Sequence, residues 1–249
     1  MQDLILCDNG KITAVLPLAK SRGLGIEMQS FYYPDVLDNP ADALAKYLEL
    51  LEGFGGLRAM HGPFGDLCPG SFDHKVRQVA AYRIEQGLTI AQKLKVGHIV
   101  LHHGYVPNTS PPANWITRSY DFWRDILTKI PDTIHLHLEN YLDDKPDMLL
   151  ELVQKLEDAR IGICLDIGHA HAFSKQSAIN WVNALTANVT YVHIHDNFGN
   201  KDEHLSLGQG NLPLRDVLAA LEVNASGALW AIEADASQSL EWLEINGFL

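Results

Sequence analysis

The stretch IGICLDIGHAHAF, residues 161–173, joins a six-residue apolar run ending in Asp166 to a short turn that carries His169. A run of this length, bounded by a turn and too short for a buried helix, reads as a strand buried on both faces. Working outward in both directions, the same unit recurs. Strands are expected at LILC (4–7), LGIEM (24–28), LRAMH (57–61), HIVLH (98–102), TIHLHLE (133–139), VTYVHIH (189–195) and ALWAIE (228–233). Segments of helical period lie near 11–21, 41–53, 73–95, 115–129, 147–158, 175–186, 213–222 and 237–246.

Eight consecutive strand-then-helix units in 249 residues predict an α/β chain folded as a single (β/α)8 TIM barrel, one domain over residues 1–249. The glycine-rich first turn of a dinucleotide-binding sheet, G-x-G-x-x-G, does not follow LILC. The Pro-bearing loop GYVPNTSPPANW, 104–115, leaves the fourth strand on its exit side and is a candidate wall or lid for a site there.

Composition narrows the function classes. A hydrophobic content of 47% supplies a sizeable core. The opening MQDLILCDNG lacks a cationic leader, and no apolar run approaches the ~20 residues that span a bilayer, so a cytoplasmic protein without a membrane partner is expected. Cys7, Cys68 and Cys164 lie far apart and form no C-x-x-C pair, which suits a reducing compartment. A net charge of −12 opposes long-range attraction to a polyanion and makes nucleic acid a disfavoured partner. Twelve histidines, several beside carboxylates, are the ligand mixture that first-row divalent metals prefer.

In a barrel, ionisable residues at the exit ends of strands converge on one mouth. Here the third strand ends in His61, the fourth in His102, the fifth in Glu139, the sixth in Asp166, the seventh in His193 and His195, and the eighth in Glu233. Any one histidine at a strand end is more often hydrogen-bonded packing than a ligand, and Asp166 taken alone is an N-cap for the segment after it. Carboxylates gathered at one mouth repel one another, and a dication removes that cost. Two loops add to the set: the turn DIGHAH lets Asp166 and His169 face the mouth together, with His171 weaker. In NKDEHLSLGQGNLPL an extended backbone projects Asp202 and His204 to one side.

The segments MHGPF (60–64), VLHHG (100–104), HLEN (137–140), GICLDIGHAHAF, YVHIHDN with the following KDEHLSLGQGN, and AIEAD (231–235) resemble the xylose isomerase-like barrels, a superfamily that includes endonuclease IV and many sugar and sugar phosphate isomerases and epimerases. The endonuclease IV-like pattern implies a trinuclear site of His61, His102, Glu139, Asp166, His169, His193, Asp202, His204 and Glu233. The sugar isomerase pattern implies one metal on Glu139, Asp166, His193 and Glu233, with His169 near the substrate. The sequence departs from both. Phe64 stands where the repair enzymes carry a tyrosine, QSFYYPDVLDNP lacks their DNA-entering arginine, and HIHDNFGNKDEH lacks the arginine of ketose 3-epimerases.

Two chemistries follow from one constellation. In the favoured one, a small sugar or sugar phosphate is isomerised or epimerised through an enediolate. Glu139 and Glu233 remove and return the proton, His169 holds a hydroxyl, and Phe64 or Trp115 stacks on the sugar. In the alternative, one phosphodiester is hydrolysed at an abasic site beside a zinc cluster. One to three ions are expected, and a His and carboxylate set without thiolates suits zinc, manganese or cobalt.

Overall fold

The computed structural model describes residues 3–249. Its eight strands are β1 (Leu4–Cys7), β2 (Gly25–Met28), β3 (Arg58–His61), β4 (His98–His102), β5 (His135–Glu139), β6 (Ile161–Asp166), β7 (Val189–Ile194) and β8 (Leu229–Ile232). All pair in parallel, and β1 closes on β8 to complete a (β/α)8 barrel in sequence order. Every strand expected from the sequence is present: β1, β4 and β6 with the expected bounds, the other five shorter by one or two residues.

The two faces of each strand differ in size. Outward residues such as Leu6, Met28, Ile99, Leu138, Ile163, Val192 and Ile232 pack under the surrounding helices in the main core. In the helix Asp147–Leu156, for example, Met148, Leu149, Leu152, Val153 and Leu156 form one buried stripe at helical spacing. Inward residues Ile5, Cys7, Ala59, Val100, Cys164, Tyr191, Leu229 and Ala231 form a separate, smaller core inside the barrel. Paired residues in parallel strands share a face, so the register settles what alternation alone leaves open. Cys7 pairs with Glu27, Val100 with His137, His102 with Glu139, Glu139 with Cys164 and Asp166 with His193, and all of these point inward.

Several local readings change. The segment after Asp166 is a helix, Ile167–Phe173, rather than a short turn, and a second helix, Ala178–Leu185, follows it. A short 3-10 turn, Ser30–Tyr32, and the helix Pro34–Asp38 occupy the loop after β2. The 104–115 stretch is shorter as a loop than its composition suggests, because a helix starts at Pro112, where proline's missing N–H costs nothing. Trp115 is fully buried in that helix against His103 and Tyr105, which removes it from any stacking role at the mouth. Among the described residues no helix is long and apolar enough to cross a membrane.

Candidate metal centre

The exit ends of the strands bring all nine candidate ligands to one mouth. His61 Nε2 and His102 Nε2 each lie 3.1 Å from Glu139 Oε2. Ligand atoms of Glu139, Asp166, His193 and Glu233 lie within 4.8 Å of one another. His169, Asp202 and His204 form a neighbouring group, in which Asp202 Oδ2 is 3.2 Å from His169 Nε2 and 3.1 Å from His204 Nε2. His195 joins this group and was missing from the expected ligands, although it stands two residues after His193 on the same face. Its Nε2 is 3.1 Å from Asp166 Oδ1.

Local geometry explains why the residues converge. Asp166 does cap the helix after β6, accepting the His169 N–H at 2.6 Å, so cap and cluster member are one residue. The side chain of Asn140 bridges β5 to β6, accepting the Asp166 N–H at 2.9 Å and donating to the Asp166 carbonyl at 3.0 Å. Gly168 passes so close to His195 that a Cβ would sit 2.0 Å from the ring. The loop carrying Asp202 and His204 is tied to the fully buried Asp196 carboxylate, which accepts the N–H groups of Asn197, Gly208, Gly210 and Leu212. Gly208 turns that loop at φ +82°, a conformation side chains disfavour.

The histidines are oriented by what holds their other nitrogen. His61 Nδ1 faces the Gly62 carbonyl, His169 Nδ1 the Asn140 carbonyl and His204 Nδ1 the Glu233 carbonyl, each at 2.9 Å. A carbonyl only accepts, so each Nδ1 carries the proton and each Nε2 is left to the cluster.

Charge inside the cluster is strongly organised. Burial alone raises a carboxyl, yet the rings of His193 and His102 outweigh it and hold Glu139 well below the usual carboxylate range. Burial would lower His169, but Asp166 and its bond to Asp202 push it up to about 10. Burial likewise opposes the charge on His204, which its bond to Asp202 and the nearby Glu233 carry up to about 9. Deeper in the barrel, His98 Nδ1 meets His137 Nε2 at 3.0 Å and His137 Nδ1 meets Thr190 Oγ1 at 2.8 Å. Burial drives His137 well below its ordinary value, so this chain is neutral packing, not a second centre.

The donors fit a divalent cation. Around the mouth they are imidazoles and carboxylates, drawn together against their mutual repulsion, and the one thiol grouped with them, Cys7, sits with Glu27 and His193. Asp202 Oδ1 is also buried without a hydrogen-bond partner, an anionic lone pair facing the group that contains His169, His195 and His204.

Above the ligands lies a cavity of about 280 Å³, lined by Asn9, Gln29, Tyr32, Phe64 and Tyr141 together with His61, His102, Glu139, His169, Asp202, His204 and Glu233. Phe64 stacks on His102 at 4.3 Å between ring centroids and Tyr141 packs edge-on to His169 at 4.9 Å. No residue of 104–115 lines it. Gly104, Tyr105 and Val106 instead border an adjoining cavity of about 430 Å³ that shares Phe64, His102 and Tyr141. Sequence reasoning missed Glu27, Gln29 and Asp8. Gln29 Nε2 donates to Glu233 Oε1 at 2.6 Å, and Asp8 accepts the Gln29 N–H at 3.0 Å. Of the three, Asp8 carried a legible signal, since it stands at the exit of β1.

A closed parallel barrel with this mouth defines a class, and sequence comparison gives it a family. Residues 18–245 match the xylose isomerase-like TIM barrel family, to which the chain belongs. The uncharacterized protein MJ1311 of Methanocaldococcus jannaschii is 31% identical over 80% of this chain and 73% of its own length. A probable endonuclease 4 of Mycobacterium marinum is 24% identical over 82% of this chain and 84% of its own. Among solved structures, the TTHB071 protein from Thermus thermophilus, soaked with ZnCl2, superposes with a TM-score of 0.81 at 25% identity, covering 99% of this chain and 98% of that one. A D-tagatose 3-epimerase-like protein gives a TM-score of 0.80 at 24% identity, covering 100% and 97%.

Proposed function

We propose that this chain is a single-domain, divalent-metal-dependent sugar isomerase or epimerase. The observation that carries the reading is the cavity itself. It is small, walled by Tyr32, Phe64 and Tyr141, floored by Glu139 and Glu233, and lined by no lysine or arginine. Such a pocket encloses a polyol, with aromatic faces for its C–H surface and carboxylates for its hydroxyls, and it offers no lysine or arginine to a phosphate.

Glu139, Asp166, His193 and Glu233 would hold the ion, zinc or manganese by their donor chemistry. A cation bound there supplies Lewis acidity to the carbonyl and hydroxyl oxygens of the sugar. Glu139 is ionised at neutral pH and takes the proton from the carbon beside the carbonyl. Glu233, fixed by Gln29, delivers a proton taken up from solvent to that carbon or its neighbour, and Glu139 releases the one it took. His169 presents Nε2 to a substrate hydroxyl. The three aromatic side chains exclude water from the exposed carbanion.

A second reading, phosphodiester hydrolysis, is favoured by one observation: the group of His169, His195, Asp202 and His204 and the pair His61 and His102 complete a set that could hold more than one ion. The net charge of −12 opposes a nucleic acid substrate.

The test places the metal-loaded protein in D2O with free and phosphorylated ketoses, and separately with an abasic-site duplex. Deuterium entering the carbon beside a ketose carbonyl, cut roughly 10²- to 10⁴-fold by Glu139→Gln, is the expected result. Strand cleavage that depends on Glu139, with no exchange into any sugar, overturns the proposal.

A further inference from the structure

Glu27 is fully buried in β2 and is not among the residues that line the cavity above the ligands. Its carboxylate is nevertheless aimed at one ligand. Glu27 Oε2 lies 3.1 Å from His193 Nε2 and accepts the Tyr191 hydroxyl at 2.6 Å, while Oε1 accepts from Gln29 Nε2 at 3.2 Å and Cys7 Sγ at 3.5 Å. The register turns the side chain inward, since Cys7, Glu27 and Ala59 form one inward level across β1, β2 and β3.

His193 is turned the opposite way to its neighbours. His61, His169 and His204 point Nε2 at carboxylates and tie Nδ1 to a backbone carbonyl. In His193 it is Nδ1 that meets the cluster, 2.9 Å from Glu139 Oε1 and 3.2 Å from Glu233 Oε2, and Nε2 meets Glu27 at 3.1 Å. The remote nitrogen of this one histidine is therefore gripped by an anion instead of a neutral carbonyl.

We propose that Glu27 is the positioning residue of the metal centre: it fixes His193 as an Nδ1 ligand by accepting the Nε2–H in a charge-assisted hydrogen bond, and so strengthens Nδ1 as a donor. The inference rests on the metal-binding reading above. A carboxylate behind a ligating imidazole raises its donor strength and fixes its tautomer, and losing such a partner costs roughly 10- to 100-fold in metal affinity. Glu27 does not itself serve as a ligand, because its two oxygens are occupied by four donors. Gln29 donates to both Glu27 and Glu233, so the same small network also steadies the carboxylate on the opposite side of the cluster.

The experiment reads metal binding alone, with no substrate. The wild-type chain, with ¹⁵N-labelled histidine, is loaded with ¹¹³Cd²⁺, and zinc affinity is measured by chelator competition for wild type, Glu27→Gln and Val100→Ala. Val100→Ala loosens the same inner core and removes no hydrogen-bonding group of the network. Expected are a cadmium coupling at His193 Nδ1 with a proton on Nε2, a roughly 10- to 100-fold weaker zinc affinity in Glu27→Gln, and an affinity near wild type in Val100→Ala. Coupling at Nε2, unchanged affinity in Glu27→Gln, or an equal loss in Val100→Ala overturns the proposal. Failure of the wild type to bind either ion overturns it together with the metal reading. Where Glu27→Gln does not fold, the wild-type coupling pattern decides alone.

Discussion

Asp196→Asn probes how the second ligand group is built. The carboxylate of Asp196 accepts four backbone N–H groups: Asn197 at 2.9 Å and Leu212 at 3.1 Å on Oδ1, Gly208 at 3.1 Å and Gly210 at 2.9 Å on Oδ2. An amide of the same size keeps one oxygen and turns the other position into a donor facing two donors. Two charge-assisted hydrogen bonds are lost, each about 1.5–3 kcal/mol, so the loop loses about 3–6 kcal/mol of local stability. The β-bridge between Asp196 and Leu205 is backbone only and remains. Since about 1.4 kcal/mol is tenfold, the Gly208, Gly210 and Leu212 amides should exchange with deuterium roughly 10²- to 10⁴-fold faster, read by mass spectrometry, while β5 and β6 keep their protection. Asp202 and His204 ride on this loop, so any ion they hold is lost while Glu139, Asp166, His193 and Glu233 keep theirs. Exchange of the three amides within tenfold of wild type would refute the claim that this carboxylate anchors the loop.

Three further outcomes follow from the geometry. Gly168→Ala should cost about 1–3 kcal/mol and free His195 from Asp166, because the new Cβ meets the ring at 2.0 Å, whereas Gly55→Ala, with open space, should leave the thermal midpoint unchanged; equal midpoints for the two variants would contradict the close approach. In the metal-free protein in EDTA, the urea midpoint should peak near pH 6–7. His169 and His204, raised to about 10 and about 9, contribute stability that is present below the unfolded value of about 6.5 and is lost as pH rises through those values. His98, lowered by burial to about 4, removes stability as pH falls from about 6.5 towards 4; a midpoint that keeps rising above pH 8 would contradict the assignment. Adding zinc should flatten the alkaline arm, since the ion takes the place of those protons, and an arm of unchanged slope would mean that His169 and His204 do not bind it.

The barrel was legible because parallel strands buried on both faces leave short continuous apolar runs that little else produces. IGICLD and HIVLH declare themselves without any partner. The helix Ile167–Phe173 was not legible, since seven residues with Gly168 and two histidines show no apolar period, and it is held by the Asp166 cap and by packing instead. Nor was the place of Trp115, which sits in a loop-like, proline-rich sequence but is drawn under Gly70 by its own bulk, where a Cβ would stand 2.3 Å from the indole.

For the site, the linear sequence determined which residues reach the mouth, because a strand's exit end and a period of two are local properties of the chain. The segments after β6 and β7 added His169, Asp202 and His204, and the structure brings all nine candidates together with His195, which was not among them. The linear sequence did not determine which faces are inward, since parity is relative until eight strands close and fix a common register. Glu27 stayed hidden for this reason: LGIEM reads as an apolar strand, and only its pairing with Cys7 and Ala59 turns the carboxylate toward His193. The reversal of His193, with Nδ1 to the cluster and Nε2 to Glu27, was decided by tertiary structure alone, because it depends on which anions lie on either side of one ring, and those come from β2, β5 and the residue after β8.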